Sequence, residues 1–223
     1  MIIACVLKTG VHNNQGKITE YTPNVVQWLK RQCEKFVTVP FEFVCLTDLD
    51  KIEGVKTIKL KHNFPNWWSK IELFRPDIFQ GKKVFYMDLD TVLIDNIDNI
   101  LNYPHKFTVL SQMSAFAHTP STHLIGSGVM AWDMDLSGLY RIFCADPEKY
   151  MDEKTQTYDN WGDQGFIQRH IQGTERFQKL FPNQIVSFPA ELRKGDPKKG
   201  NKIIVFHGKP KPHEITRDWI MKI

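Results

Sequence analysis

Short apolar runs alternate with amphipathic stretches along this chain, and the alternation predicts strands and helices in turn. Ile2 to Leu7 is an unbroken apolar run of strand length, the pattern of a strand covered on both faces. From Pro23 to Phe36 the apolar positions Val25, Val26, Leu29, Cys33 and Phe36 recur at helical spacing, with Thr22 as N-cap and Pro23 in the first turn. Phe41 to Leu46, Val55 to Leu60, Lys83 to Met87, Phe107 to Leu110, Val129 to Trp132 and Ile203 to Phe206 read as further strands. Trp67 to Phe74, Leu139 to Phe143, Gln164 to Ile171 and a closing Ile215 to Met221 read as helices, the first stopped by Pro76. Strand and helix in alternation predict one α/β domain, with a mainly parallel, Rossmann-like sheet flanked by helices on both faces. No repeat and no Ser/Gly-rich linker divides the chain. Arg193 to Lys202, rich in Lys, Gly and Pro, reads as a mobile surface loop.

Composition narrows the function classes. The chain has 223 residues, 42% apolar and 24% charged, which excludes disordered and fibrous classes. At this length a chain buries roughly 70–75% of its unfolded surface, so it needs no disulfide or metal merely to fold. Its longest apolar runs fall far short of the ~20 residues of a membrane-spanning helix. Lys8 interrupts the N-terminal apolar run before a signal-peptide core can form. These features predict a cytoplasmic chain with no integral membrane segment. The net charge of +4, without a dense basic stripe, speaks against a nucleic-acid partner and suits a smaller anion such as a nucleotide or diphosphate. Cys5, Cys33, Cys45 and Cys144 show no C-x-x-C spacing and read as buried thiols in a reducing compartment.

The most informative segment begins at Val84. An apolar strand, Val84 to Met87, runs into Asp88-Leu89-Asp90, and residues i and i+2 of an extended chain point to the same side. Ligands of open α/β sheets bind beyond the carboxyl ends of strands. Two carboxylates converging there repel unless a cation holds them, and a hard divalent ion keeps coordination sites open for phosphate oxygens. The same pair also fits a plain strand end capping a turn. Near the C-terminus Ile203 to Phe206 leads into His207, Gly208, Lys209, Pro210 and Lys211. His207 is a candidate third ligand, and a mixed oxygen and nitrogen set favours Mn²⁺, with Mg²⁺ as the alternative. Gly208 permits close backbone approach to a phosphate, and Lys209 and Lys211 supply positive charge. A solvated basic turn fits that segment as well. Asp163 and Gln164, at a helix start, read either as an N-cap with its first turn or as groups facing a ligand. Trp67, Trp68 and Trp161 read either as ordinary packing or as stacking partners for sugar rings.

These blocks together resemble glycogenin and the wider family 8 of retaining, nucleotide-sugar-dependent glycosyltransferases with the GT-A fold. Trp68-Ser69-Lys70-Ile71 through Phe74, then Val84 to Leu101, is similar to the family's W-x-K-L helix and V-x-Y-x-D-x-D-T-x-V-x-x-N-I-D-x-L segment. Gly126-Ser127-Gly128-Val129-Met130, Trp161-Gly162-Asp163-Gln164-Gly165 and His207-Gly208-Lys209-Pro210-Lys211-Pro212 follow in the family's order, so the match spans residues 68–214, about two-thirds of the chain. His207 and Gly208 are adjacent where the family has two residues between them, His213 replaces a Trp, and Gly126 replaces an Asn.

The resemblance implies a single GT-A-type domain over 1–223, with a nucleotide-binding half (1–100) ending in the D-x-D and an acceptor half (101–223) carrying the C-terminal metal and diphosphate loop. It implies Asp88, Asp90 and His207 as Mn²⁺ ligands and Lys211 as a diphosphate contact beside Gly208 and Lys209. Lys70, Asp163 and Gln164 become catalytic or sugar-positioning groups. Leu7, Lys8 and Thr9 match the nucleobase and ribose position, and Leu89 and Gly128 line the same donor site. The implied activity is metal-dependent transfer of a hexose from UDP-glucose or UDP-galactose to a glycan or other hydroxyl acceptor. The acceptor side falls partly on Met113 to Leu124. Two alternatives stand beside it. Asp88-Leu89-Asp90-Thr91-Val92-Leu93 also fits the nucleophile motif of haloacid-dehalogenase-like phosphatases, and a non-catalytic nucleotide-sugar binding module would keep the same residues.

Overall fold

The structure is a computed structural model that describes residues 1–10, 21–113, 121–152, 154, 156–157 and 161–223, so most of the Met113 to Leu124 segment lies outside the described residues. In chain order the strands are β1 (Ile2–Leu7), β2 (Glu42–Thr47), β3 (Lys56–Lys59), β4 (Val84–Met87), β5 (Thr91–Leu93), β6 (Phe107–Gln112), β7 (Ser121–Trp132), β8 (Glu175–Arg176), β9 (Ile185–Ser187) and β10 (Ile203–Val205). The α-helices are α1 (Pro23–Phe36), α2 (Asp98–Leu101), α3 (Ser137–Ala145), α4 (Pro147–Met151), α5 (Gly162–His170) and α6 (Phe177–Leu180).

Seven strands form the main sheet in the order β3-β2-β1-β4-β7-β6-β8. From β3 to β4 every pairing is parallel, whereas β7 runs antiparallel to both β4 and β6. Beside it, β5-β10-β9 make a small second sheet that joins the segment after the D-x-D to the C-terminal strand. The architecture is α/β, with a large and mostly parallel central sheet flanked by helices.

Alternation along the central strands builds the core. Ile3, Cys5 and Leu7 of β1 and Phe85 and Met87 of β4 face one layer, with α1 and the small sheet. Ile2, Ala4, Val6, Val84 and Tyr86 face the other, with Trp68, Ile71, Phe143 and Phe166. A strand buried on both faces reads as a continuous apolar run, which is why β1 and β4 are legible in the sequence. Three of the four cysteines are buried and all four are free.

Three expectations need correction. The helix read from Trp67 forms as a nine-residue 3-10 helix, Asn66–Phe74, longer than the about four residues usual for that form. Every residue from Trp68 to Phe74 is buried, so tertiary packing sustains what its local hydrogen bonds do not. The strand read from Val129 begins at Ser121 and runs twelve residues: Gly126 pairs with Leu110 of β6, and Ser127 and Gly128, which carry little strand propensity, fall in one of two register shifts that interrupt the pairing. No helix forms at Ile215 to Met221. The chain makes a 3-10 turn at Pro212–Glu214 and a second turn closed by the Ile220 amide on the Arg217 carbonyl (3.0 Å), and is held by tertiary contacts: Trp28 Nε1 donates to the Met221 carbonyl (2.6 Å) and Trp219 Nε1 to Asp196 (3.1 Å). The Arg193 to Lys202 loop lies at the surface except for Asn201, whose side chain donates to the Asn183 carbonyl.

Candidate functional site

Three parallel strands, β1, β2 and β4, end at one edge of the sheet and deliver Lys8 and Thr9, Asp48, and Asp88 there. That edge is where open α/β sheets bind ligands. Tyr86 and Asp88 project to the same side, and the buried Tyr86 hydroxyl donates to Asp88 Oδ1. The Asp88 amide donates to the Gly128 carbonyl at 2.8 Å. A Cβ on Gly128 would stand 3.3 Å from Asp88 Oδ2, so glycine lets β7 approach the carboxylate closely.

Lys70 enters from the 3-10 helix and joins three elements. Its ammonium lies 3.3 Å from Asp88 Oδ1, 3.1 Å from Ser127 Oγ on β7 and 3.1 Å from Asp163 Oδ2 on α5. Asp163 is not the helix cap. Trp161 occupies that position and Asp163 sits in the first turn, where a negative charge suits the helix dipole. Burial works against the Lys70 charge, yet Asp163 and Asp88 outweigh it and hold the proton more tightly than in an ordinary lysine. Burial also pushes the Asp163 carboxyl up, Lys70 and Ser127 offset this only in part, and Asp88 adds repulsion. Asp163 Oδ2 touches Lys70 but accepts no well-directed hydrogen bond.

Asp90 is buried and shares one oxygen between Lys211 Nζ (2.6 Å) and the Tyr21 hydroxyl (3.1 Å). Burial raises its carboxyl above the usual range, Lys211 pulls it back and Asp88 pushes it up again. Thus three carboxylates stand against two ammonium groups, a surplus of negative charge with hard oxygen donors, which fits a divalent cation at Asp88 and Asp90. His207 does not join them. Its Nε2 lies 2.6 Å from Ser187 Oγ, and among the described residues no three His, Cys, Asp or Glu side chains gather as a metal set. Burial, then the Lys211 charge, lowers the His207 pKa and keeps the ring neutral.

The remaining expected residues are placed as follows. Lys8 Nζ and both the amide and hydroxyl of Thr9 donate to Asp48 (2.8–2.9 Å), a strand-end acid that the sequence reading passed over. The side chains of Leu7 and Leu89 are buried in the core, so only their backbones can meet a ligand. Gly208 has φ +75°, a conformation that favours glycine. Lys209 Nζ bonds Glu214 at 2.6 Å at the surface. Gln164 lines a shallow cleft with Trp161, one residue beyond the Lys70 cluster. Tyr21, Asp48, Tyr86, Ser127 and Ser187 are not among the expected site residues; Tyr86 has a signal in its i, i+2 spacing to Asp88, and Ser127 in its place within the Gly126 to Met130 block.

No protein-family model matches the sequence, and no curated protein matches it. Solved structures do match the fold. The galactosyltransferase LgtC, solved with donor and acceptor sugar analogues, superposes with a TM-score of 0.62 at 13% identity, over 98% of this chain and 90% of that one. The glycosyltransferase GlyE of Streptococcus pneumoniae TIGR4 gives 0.51 at 11% identity, and the bifunctional glycosyltransferase WbbM gives 0.56 at 11%. This chain spans 55% of the GlyE chain and 46% of the WbbM chain. The charged cluster at the carboxyl ends of β1, β2 and β4 sits on the fold of these glycosyltransferases, the GT-A-like fold of LgtC.

Proposed function

We propose that the chain is a retaining glycosyltransferase that moves a hexose from UDP-glucose or UDP-galactose to a hydroxyl acceptor. The observation that carries this reading is the Lys70 ammonium bridging Asp88, at the end of β4, to Asp163, at the start of α5, on an LgtC-like fold. Asp88 and Asp90 would hold Mn²⁺, or Mg²⁺, which supplies charge neutralisation to a departing diphosphate. Leu7 to Thr9 offer backbone and hydroxyl groups to the base and ribose, pre-set by Asp48. Gly208 and Lys211 provide the backbone space and the mobile positive charge for the diphosphate, with Lys209 farther out. Lys70 and Asp163 orient the sugar hydroxyls, and Gln164 stands under the anomeric carbon.

As the anomeric C–O bond breaks, its electron pair leaves with the diphosphate. The acceptor hydroxyl forms the new C–O bond on the same face and passes its proton to the leaving phosphate oxygen. This front-side path needs no enzyme base, which agrees with the Lys70-paired state of Asp163.

The test is turnover of UDP-glucose and UDP-galactose with Mn²⁺, followed by NMR of the anomeric proton. We expect slow hydrolysis or transfer with the α configuration kept, lost in Asp163→Asn. Phosphate release from a phosphomonoester without UDP-sugar turnover would replace this reading with the phosphatase. UDP binding without turnover of either sugar would leave a binding module.

A further inference from the structure

The modest net charge of the chain hides an uneven distribution. Residues 193–223 carry nine Lys and Arg against three Asp and Glu, a net charge of +6. The whole chain carries +4, so the residues before them are net −2.

Hydrogen bonds gather the basic segment on one surface. Trp219 Nε1 donates to Asp196 at 3.1 Å, and Arg217 lies 3.7 Å from the same carboxylate. The C-terminal tail is thereby tied to the Arg193 to Lys202 loop. Arg193 Nη2 donates to the Lys209 carbonyl (3.2 Å), which joins that loop to the one carrying Lys211.

Most of the acids there are already engaged. Asp196 serves Trp219 and Arg217, Glu214 bonds Lys209 and the Lys211 amide, and neighbouring Glu191 accepts from the Ser187 amide. Arg193, Lys194, Lys198, Lys199 and Lys222 are exposed and form no ion pair among the described residues. Like charges held together repel one another, and an anionic partner relieves that repulsion.

Beside these cations the tail presents apolar side chains. Trp219, Ile220 and Met221 are half-buried, and Ile223 is 45% exposed, with Lys222 between them. Lysines among half-exposed apolar groups suit the headgroup boundary of a bilayer, where charge meets phosphate and apolar groups meet acyl chains. A nucleic-acid backbone would answer the charge alone.

We infer that this surface seats the protein on an anionic membrane, with Arg193, Lys194, Lys198 and Lys199 against lipid phosphates and Ile223 at the acyl boundary. The attachment is peripheral, since among the described residues no helix is long and apolar enough to cross a membrane. It places the Lys211 loop next to the bilayer surface. The inference stands independently of the sugar-transfer reading.

The test is co-sedimentation of the full chain with two kinds of vesicle, at low and at high NaCl. One is phosphatidylcholine alone, and the other is equimolar phosphatidylcholine and phosphatidylglycerol. We expect binding to the anionic vesicles only, weakened by salt. The triple variant Lys194→Gln, Lys198→Gln, Lys199→Gln should bind roughly 100-fold more weakly. Ile223→Ser should bind severalfold more weakly. Neither should move the midpoint of denaturant unfolding, measured in parallel. No binding to anionic vesicles overturns the inference. Equal binding to both vesicles, or a triple variant that binds as the parent does, also overturns it. An unaffected Ile223→Ser would contradict the seating of the tail. Retention on a single-stranded RNA oligonucleotide without vesicle binding would overturn the membrane and assign the surface to nucleic acid.

Discussion

One 3-10 helix and the residue after it feed two buried ionic networks, and they are built differently. At the far end, Glu72 is fully buried and accepts from the Lys61 and His62 amides (2.7 and 2.9 Å) and from Arg75 Nη1 (3.0 Å). Arg75 adds a two-point contact to Asp77 (3.1 and 3.0 Å) and a bond to the Lys59 carbonyl. Hydrogen bonds from Arg75 and Lys61 hold the Asp77 carboxyl far below the usual range. Every group there is matched. The Lys70 network, by contrast, sets one ammonium against two carboxylates, with Asp163 pushed up in pKa and one of its oxygens poorly bonded. A network in which every group is matched needs no further partner, whereas an unbalanced one at a strand end suits a ligand.

Breaking the closed network should give the largest effect on folding. Glu72→Ala removes the buried acceptor of the Lys61 and His62 amides and of one Arg75 Nη1 bond and should cost about 3–5 kcal/mol, read as a drop in the midpoint of denaturant unfolding. Breaking the open network should instead fall on chemistry. Lys70→Met should reduce sugar transfer roughly 100- to 1,000-fold, while the unfolding midpoint moves far less than for Glu72→Ala. If the two variants exchanged these signatures, the contrast would be wrong.

A smaller effect separates burial from charge pairing. His105 is buried between the Ile100 carbonyl and Thr108 (both 2.8 Å), and burial lowers its pKa. A histidine held neutral in this way contributes stability above its ordinary pKa, and that stability is lost as pH falls through it toward the folded value. His105→Gln should therefore cost about 1–3 kcal/mol at neutral pH, and the gap to the parent should narrow as unfolding is repeated at falling pH. A gap that widens on acidification would reverse the assignment. The smallest effect sharpens the role of Lys211, which stands on Asp90 where a divalent ion would bind. Lys211→Met should tighten Mn²⁺ binding severalfold, measured by Mn²⁺ spin resonance, and weaken UDP.

Much of the fold was legible because parallel strands buried on both faces leave unbroken apolar runs, as in β1 and β4. The bounds of α1 follow from its apolar spacing and Pro23, although Thr22 makes no side-chain cap. What stayed hidden depended on tertiary partners: the first half of β7, cut off from Val129 by Gly126-Ser127-Gly128, the small sheet of three-residue strands, and the C-terminal tail held by Trp28 and Trp219. The site divides the same way. Asp88, Asp90, Lys70, Asp163 and Lys211 lie at element ends and within motif blocks, and the structure brings them together. Asp48 and Tyr21 reach the site through long-range bonds that no local spacing encodes; Ser127 lies in a motif block, but its bond to Lys70 depends on where β7 pairs with β4. His207 was readable as a ligand type, but its ring partner, Ser187, comes from a strand too short to see.

The central claim, a metal-assisted nucleotide site at Asp88 and Asp90, is tested most directly by calorimetric titration of the metal-free protein with UDP, repeated with Mn²⁺ and with Asp88→Asn. The account expects tight binding only with Mn²⁺ and its loss in the variant. Equal binding with and without Mn²⁺, or binding untouched by Asp88→Asn, would contradict it.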